Sequence, residues 1–266
     1  MTDLILQQRD GAILTLTLNE PERRNPISDI ATVDALIAAV EAADADIEVR
    51  CVILTGAGSA FSSGGDLKKM VPGGGLRDER PVQTRRNYKT GIQRIPLAFQ
   101  ALEVPVVCAI NGPAIGAGLD LTTMCDIRVA AESARFAESF VKLGIIPGDG
   151  GAWLLPRIIG FPMACELALT GRTIDAGEAL RIGLVTHVVS DGMLMAKAHE
   201  IAAEIAANPP HATRMAKRLL REGQTATLPN ILDMSAAMQA LAHATADNDE
   251  AIKAFLERRT PNFTGQ

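Results

Sequence analysis

Short apolar runs rich in β-branched residues alternate with helix-like segments through the first half of the chain. Leu4–Gln8 and Ala12–Leu18 flank Asp10-Gly11, a pattern that predicts a β-hairpin. Three further runs are apolar throughout, as in buried strands: Val49–Thr55, Val106–Ile110 and Ile127–Ala130. Strands that alternate with helices pair in parallel through crossover helices, so the pattern predicts an α/β fold.

Between these strands the apolar positions repeat at helical spacing. Ser28 is placed to cap a helix that runs to about Ala43, and Pro81–Leu102 predicts a longer helix. Shorter helices are predicted near Leu67–Met70 and up to about Met124. The glycine-rich segment Val71–Arg80 predicts a loop between them.

After about residue 190 the strand pattern ends. Four amphipathic or alanine-rich helices are predicted there: Met193–Asn208, Pro210–Glu222, Pro229–Thr245 and Asp249–Arg258. The chain therefore divides into a predicted core over residues 1–195 and an all-helical region over residues 196–266. Helices with this much apolar surface must bury it on the core or on another subunit.

Two glycine-rich turns lie about fifty residues apart, at Phe61–Leu67 and Asn111–Asp120. Each follows an apolar run and leads into a helix-like pattern. Glycine or alanine at such a turn lets the backbone approach a ligand closely and leaves the first N–H groups of the helix free. Two such turns brought together can hold one oxygen from two sides, which is the design of an oxyanion hole. The alternative is that both are merely tight structural turns.

Composition excludes several other classes of protein. The net charge of −5 argues against a general nucleic-acid binder, which usually carries a basic face. The four cysteines are widely spaced in apolar surroundings and the four histidines form no cluster, so we expect free buried thiols and no metal site. Gly56–Phe61 begins like a dinucleotide-binding motif but lacks its third glycine, and neither a phosphate loop nor a GxSxG motif is present.

We also expect no contact with membranes. The N-terminal residues Met1–Leu4 lack the basic, apolar and small-residue pattern of a secretion signal. The longest apolar stretch, near Val104–Leu119, is interrupted by two prolines and an asparagine. These features favour a cytoplasmic protein.

Five segments, in order along the chain, resemble the crotonase superfamily, the enoyl-CoA hydratase/isomerase group. They are Asn19–Pro26, Phe61–Leu67, Ala109–Asp126, Lys142–Gly151 and Thr170–Val185. The resemblance implies a spiral of repeated ββα units and a C-terminal helical region that assembles homotrimers or dimers of trimers. It also implies acyl-CoA thioester substrates, with coenzyme A carried as part of the substrate and no separate cofactor.

The resemblance further implies an enolate-like intermediate whose oxygen is held by the N–H groups of Gly65 and Ala117. Arg23 and Arg24 are expected to meet the coenzyme's phosphates, unless they are solvated surface charges. The other residues expected to contact substrate are Pro26, Ser63, Gly64, Asp66, Leu67 and Phe140. Phe255 and Phe263 are expected beside a neighbouring subunit's ligand, with plain core packing as the alternative. The acyl pocket is expected to include Met70, Leu76, Tyr88, Phe140 and Trp153.

Hydratases of this family use two glutamates. The first position falls on Asp120, which retains the carboxylate; helix capping is its alternative role. The second falls on Phe140, which exchanges no protons. Glu138 lies two residues earlier, on the same face of an extended segment. Asp149 lies one residue beyond a position where some isomerases carry an acid, and we favour it because a glycine loop can aim it into the pocket.

The phenylalanine leaves three functions open. We expect an acyl-CoA enzyme of the hydratase/isomerase type, in the degradation of fatty acids or related acyl-CoA compounds. A double-bond isomerase is the first alternative, because one or two carboxylates suffice to move a proton between carbons. A thioester-binding protein without catalysis is the second. The acyl group is left open.

Overall fold

A computed structural model describes residues 3–266 of the protein; Met1 and Thr2, from the N-terminal stretch considered above, lie outside the described residues. The strands are β1 Ile5–Asp10, β2 Ile13–Leu18, β3 Cys51–Gly56, β4 Val106–Ile110, β5 Ala114–Ile115, β6 Ile127–Ala131, β7 Arg135–Ala137, β8 Thr173–Asp175 and β9 His187–Val189. The helices are α1 Ile30–Ala45, α2 Pro81–Thr90, α3 Arg94–Ala101, α4 Ala117–Met124, α5 Gly151–Ile159, α6 Phe161–Thr170, α7 Ala176–Arg181, α8 Leu194–Ala206, α9 Pro210–Glu222, α10 Leu228–His243 and α11 Ala246–Glu257.

Six strands form the main sheet in the order β1-β2-β3-β4-β6-β9. Only the β1–β2 hairpin pairs antiparallel; every other neighbouring pair in this sheet is parallel. β3 and β4 are buried along their whole length, which explains their apolar runs. A smaller sheet, β5-β7-β8, lies beside it, so β4–β5–α4 forms a ββα unit. The predicted α/β class is confirmed.

Several predicted boundaries are wrong. The hairpin turn is Gly11–Ala12, because Asp10 still pairs with Ile13. Helix α1 begins at Ile30 after Asp29, and the Ser28 hydroxyl accepts the N–H of Asp66 at 3.0 Å instead of capping the helix.

The single helix predicted at 81–102 is two helices, α2 and α3, separated by Gly91–Gln93. Pro96 explains the break, because it has no N–H to continue a helix and is tolerated only in the first turn of a new one.

Both faces of the main sheet are covered by helices. α1 and α3 pack on one face around Leu36, Phe99 and Leu54. α8 packs on the other through Ala198 and Ile201, so it extends the core beyond residue 195. Parallel sheets are stable only when both faces are covered in this way.

Helix α9 is attached to the core by two buried cations and one partly buried cation. Arg214, Lys217 and Arg221 share one helix face because they lie three and four residues apart. Lys217 contacts Asp126 at 2.8 Å and Arg221 contacts the same carboxylate at 2.9 Å. Arg214 contacts Asp44 at 3.1 Å. Each charge is partnered, as burial requires.

Candidate active site

Three segments converge at one edge of the two sheets: residues 24–27, 61–65 and 113–117. Ser62 pairs with the third segment, since its N–H donates to Pro113 at 3.1 Å and its carbonyl accepts the N–H of Ile115 at 3.0 Å. The first segment joins from the other side, where Ile27 N–H donates to the Gly64 carbonyl at 2.9 Å. The two glycine turns expected to meet are therefore adjacent.

Asn25 organises this junction, although no sequence pattern predicted a role for it. Its side chain is 1% exposed and its φ of 54° is left-handed, a conformation that asparagine tolerates. Its amide donates to the carbonyls of Ala57 at 2.8 Å and Ala60 at 2.9 Å. The Asn25-Pro26 dipeptide, a common turn signal, was the available clue. The buried Ser62 hydroxyl completes the junction by donating to the Asn25 carbonyl at 2.7 Å.

Gly64 sets the spacing between the turns. It has φ 79°, and a Cβ there would collide with the carbonyl oxygen of Ile115 and lie 2.9 Å from the Ala117 nitrogen. Only glycine permits this approach. Among residues 3–266, no acceptor receives the N–H of Gly65 or of Ala117, the first residue of α4. Two main-chain donors from adjacent turns are thus unused, and both line the same cavity of about 520 Å³.

The residues expected to contact coenzyme A lie around this cavity. Pro26, Ser63, Asp66, Leu67 and Phe140 line it, as does Arg23. The Arg23 guanidinium also contacts the carboxylates of Asp66 at 2.6 Å, Glu20 at 2.9 Å and Asp29 at 3.2 Å. That network fixes the loop.

Arg24 is exposed and does not line the cavity, but its carbonyl accepts the N–H of Ser63 at 2.7 Å. Gly64 is buried directly beneath the two donors.

Phe140 and Glu138 do not share a face of an extended segment. β7 ends at Ala137, and Phe140 begins a 3-10 turn over Phe140–Leu143. The helical turn rotates the two side chains apart. The Phe140 ring packs against Gly116 beside the donor cavity, whereas Glu138 faces a small apolar cavity behind α5.

Asp120 is held at the point where α4 meets α5. Its carboxylate Oδ2 accepts the N–H of Gly151, the first residue of α5, at 3.1 Å. A Cβ on Gly151 would overlap this carboxylate, at 2.6 Å from its Cγ, so only glycine fits. Oδ1 has no hydrogen-bond donor among residues 3–266. Because α4 also starts at Ala117, the same helix carries the unused N–H and the acid.

Glu138 and Asp149 complete a buried cluster of three acids with Asp120. Asp120, Glu138 and Asp149 are 0%, 1% and 3% exposed. Burial, followed by the charges of Glu138 and Asp149, raises the pKa of Asp120 well above its usual value. Burial raises the pKa of Glu138 to about 8 and that of Asp149 to about 6. Carboxyl groups crowded in this way share protons, because they cannot all ionise together.

Both Glu138 oxygens lack a protein hydrogen-bond donor within residues 3–266. A carboxylate has no proton to donate, so Glu138 and Asp120 can bond to each other only when one of them is protonated. The raised pKa values agree with such sharing. All three acids were predicted from the sequence as candidate proton carriers, and in the fold they form one cluster.

Glu138→Gln is expected to stabilise the protein at alkaline pH. A carboxyl whose pKa is raised on folding favours the fold below its unfolded value of about 4.5, and this contribution is lost as pH rises through about 8. The variant should therefore gain roughly 3–5 kcal/mol in unfolding free energy at pH 9 and nothing at pH 4. Urea unfolding at both pH values measures this. An equal change at both would contradict the raised pKa.

A second cavity of about 700 Å³ adjoins the first, and Met70 lines both. Its apolar wall includes Leu76 and Tyr88, two of the residues expected in the acyl pocket. Tyr88 contacts the Gly148 position, and burial together with the Asp149 charge raises the pKa of its phenol. Gln93 donates to the Gly148 carbonyl at 2.7 Å and so holds the Asp149 loop at this wall.

Trp153 is not part of this wall, so that expectation is wrong. It is half-exposed on the first turn of α5, and the guanidinium of Arg157 stacks 3.8 Å from its ring centroid. The residue lines a separate groove with Lys217. Trp153 faces outward because its neighbour Gly151 faces Asp120, on the opposite side of the helix.

The two C-terminal phenylalanines lie away from both cavities. Phe255 is 83% exposed on α11. Phe263 is half-buried, and its carbonyl accepts the Arg50 guanidinium at 2.7 Å. Phe255 thus has no core-packing role in the isolated chain.

Within residues 3–266, no three acidic, histidine or cysteine side chains are arranged to hold a metal ion. No helix in that range has the length and apolar character needed to cross a membrane.

Two unused main-chain donors on a ββα scaffold, with a buried acid on the helix that carries one of them, form an arrangement that is chemically able to hold a developing oxyanion. A family model described as enoyl-CoA hydratase/isomerase matches residues 8–266. The chain is 38% identical to the 1,2-epoxyphenylacetyl-CoA isomerase of Escherichia coli (strain K12) and 35% identical to its 2,3-dehydroadipyl-CoA hydratase, over the full length of both. The crystal structure of an enoyl-CoA hydratase from Bacillus anthracis superposes with a TM-score of 0.92 at 36% identity, covering 99% of this chain and all of that one.

The chain belongs to the enoyl-CoA hydratase/isomerase family. It is an enzyme of the lyase or isomerase type, and the resemblance in its five motifs is confirmed.

Proposed function

We propose that this enzyme isomerises a double bond in an acyl-CoA thioester. One observation carries the proposal: the helix that begins at the unused N–H of Ala117 also carries the buried acid Asp120, which clusters with Asp149, while apolar Phe140 lines the donor cavity. Phe140 stands where the family's second hydration acid is expected. Proton movement between two carbons needs one base and one acid and no water. The 38%-identical relative named 1,2-epoxyphenylacetyl-CoA isomerase supports an isomerase in general, because the group named in its substrate is an epoxide.

In the proposed mechanism the thioester oxygen lies between the N–H groups of Gly65 and Ala117. At pH 7 Asp149, with a pKa of about 6, is mostly ionised and acts as the base. It removes a proton from one carbon of the acyl chain, and the electron pair moves to the thioester oxygen. Asp120, whose pKa burial raises well above its usual value, is the proposed acid and donates a proton to a second carbon as the double bond forms again. The enzyme resets when the proton moves from Asp149 back to Asp120.

We further propose that the 520 Å³ cavity holds the coenzyme side of the substrate and the 700 Å³ cavity its acyl side. Arg23, Arg24 and the backbone of Ser63–Leu67 are the proposed contacts to coenzyme A. Arg23 is proposed for this role because the residue lines the cavity and its guanidinium is oriented by three carboxylates. Phe140 would pack against the thioester.

Hydration is the second candidate, because relatives such as the 2,3-dehydroadipyl-CoA hydratase carry that activity in their names. It requires a water molecule between Asp120 and Asp149 on the substrate's β-carbon. The same N–H donors and carboxyl groups would then act in the hydration of a different acyl-CoA substrate.

We also propose that the enzyme assembles as a homotrimer or a dimer of trimers. Helix α10 has no buried residue, and α10 and α11 expose large apolar side chains: Leu228, Leu232, Leu241, Ile252, Phe255 and Leu256. Exposed apolar patches of this kind mark association surfaces. Phe255 would then meet a neighbouring subunit.

A spectrophotometric assay separates the two reactions. Given a 3-enoyl-CoA, the isomerase should produce the conjugated thioester with a gain in ultraviolet absorbance and no uptake of water. Its rate should fall as pH drops below about 6, where Asp149 gains a proton. Given crotonyl-CoA, a hydratase should instead remove absorbance. Rapid loss on crotonyl-CoA with no gain on the 3-enoyl substrate would refute isomerisation and favour hydration.

A further inference from the structure

Three cations converge on the mouth of the 700 Å³ cavity. Arg85 and Lys89 lie one turn apart on α2, and Arg77 faces them from the preceding loop. All three side chains are exposed, and none of them contacts a carboxylate among residues 3–266. The nearby acid Asp78 is already paired with Arg80 at 3.3 Å. The rim of this cavity is therefore positive and unneutralised.

The loop that carries Arg77 is fixed to α2. The Asn87 amide donates to the carbonyls of Gly75 at 2.9 Å and Leu76 at 3.1 Å. The Thr84 hydroxyl accepts the N–H of Asp78 at 2.9 Å and donates to its carbonyl at 3.1 Å. These bonds hold the loop over the cavity, so the positions of the three cations are defined by the fold.

The wall below this rim is apolar, with Met70, Leu76, Tyr88, Ile145 and Ile146. Among residues 3–266 no acidic side chain lines the cavity; the proposed base Asp149 directly follows the lining residue Gly148. An apolar wall suits the methylene groups of an acyl chain, and a cationic rim suits an anion at the end of that chain. The segment from Arg77 to Lys89 has five basic and two acidic residues in a chain whose net charge is −5. The positive charge of the rim thus contrasts with the negative net charge of the whole protein.

We propose that the acyl chain of the substrate ends in a carboxylate, which binds Arg85 and Lys89 with support from Arg77. This inference rests on the proposed function, because it places the acyl group in the 700 Å³ cavity. The coenzyme's phosphates lie at the other cavity in that proposal, where Lys68 and Lys142 also line the wall. The two anionic ends of the substrate are then served by separate sets of cations.

Calorimetric binding of two saturated thioesters tests the inference without any turnover. Hexanoyl-CoA and adipyl-CoA have the same chain length and differ in the terminal carboxylate. Adipyl-CoA is expected to bind about tenfold more tightly at low ionic strength, and the preference should shrink in about 0.5 M salt. In the double variant Arg85→Gln, Lys89→Gln the ratio of the two dissociation constants should fall to about one.

Arg86→Gln is the matched control. Arg86 lies on the same helix and is exposed, but it does not line the cavity. If only general electrostatic attraction mattered, Arg86→Gln and Arg85→Gln would change binding equally. If the carboxylate binds at the cavity rim, Arg86→Gln should preserve the ratio of the two dissociation constants. Equal binding of both thioesters by the wild type, or an equal loss of both in the double variant, would overturn the inference. A normal adipyl-CoA preference without turnover of any enoyl-CoA would instead overturn the proposed function alone.

Discussion

Asp120→Asn is expected to lower kcat on a 3-enoyl-CoA by about 10²–10⁴-fold, the usual contribution of a general acid. Asparagine keeps the size of the side chain and an oxygen for the Gly151 N–H, but its amide is not an acid and cannot transfer a proton to carbon. Binding should change little. The unfolding temperature at pH 8 should not fall, because the variant removes a buried carboxyl of raised pKa. Steady-state kinetics and thermal unfolding measure these effects.

Asp10→Asn provides the control for this substitution, since Asp10 is exposed at the end of β1. It makes the same chemical change far from the acid cluster and should leave kcat unaltered. Full turnover by Asp120→Asn would show that Asp120 positions α5 and transfers no proton.

Gly64→Ala is expected to lower kcat by about 10²–10³-fold, the effect of losing one oxyanion donor. Gly65 and Ala117 donate through the main chain, so replacing their side chains tests them poorly. A methyl at Gly64 instead forces the Ile115 carbonyl and the Ala117 N–H away from the first turn. The measurement is kcat on a 3-enoyl-CoA, together with binding of a saturated acyl-CoA, which should be weakened much less.

Gly183→Ala separates this effect from backbone strain. Gly183 has φ 77°, almost the same as Gly64, but a Cβ there meets nothing within 4 Å. Both variants bear the cost of about 1–2 kcal/mol for a left-handed alanine. Only Gly64→Ala should also lose catalysis. Similar kcat values for the two variants would show that the spacing of the turns does not control the rate.

The sequence predicted those parts of the fold that long patterns encode. The hairpin, β3, β4 and β6 and the four C-terminal helices all arise from runs whose burial is uniform or periodic. β5, β7 and β8 were missed because each has only two or three residues, too few for a pattern. The break between α2 and α3 was missed because the apolar spacing continues across it, and only Pro96 signals the end.

The candidate site likewise contains residues that the sequence predicted and residues that it did not. Gly65, Ala117 and Asp120 lie in motifs with a local signature; Gly65 and Ala117 line one cavity, and Asp120 follows Ala117 on α4. Glu138 was brought forward on the assumption of an extended backbone, yet it joins Asp120 through the turn that ends β7. Asn25 was missed because its value lies in contacts with residues more than thirty positions away. Such contacts are set by tertiary structure, which a local pattern does not contain.

The buried acid cluster lowers the stability of the enzyme while supplying the groups proposed for catalysis. Each carboxyl in the cluster of Asp120, Glu138 and Asp149 opposes folding at the pH where it is ionised. Neutral replacements there are among the easiest ways to make the chain more heat-resistant. A laboratory selection for thermal stability alone would therefore tend to replace the proposed proton carriers, Asp120 and Asp149, first. Engineers seeking a robust form should hold these three positions constant and improve the protein elsewhere.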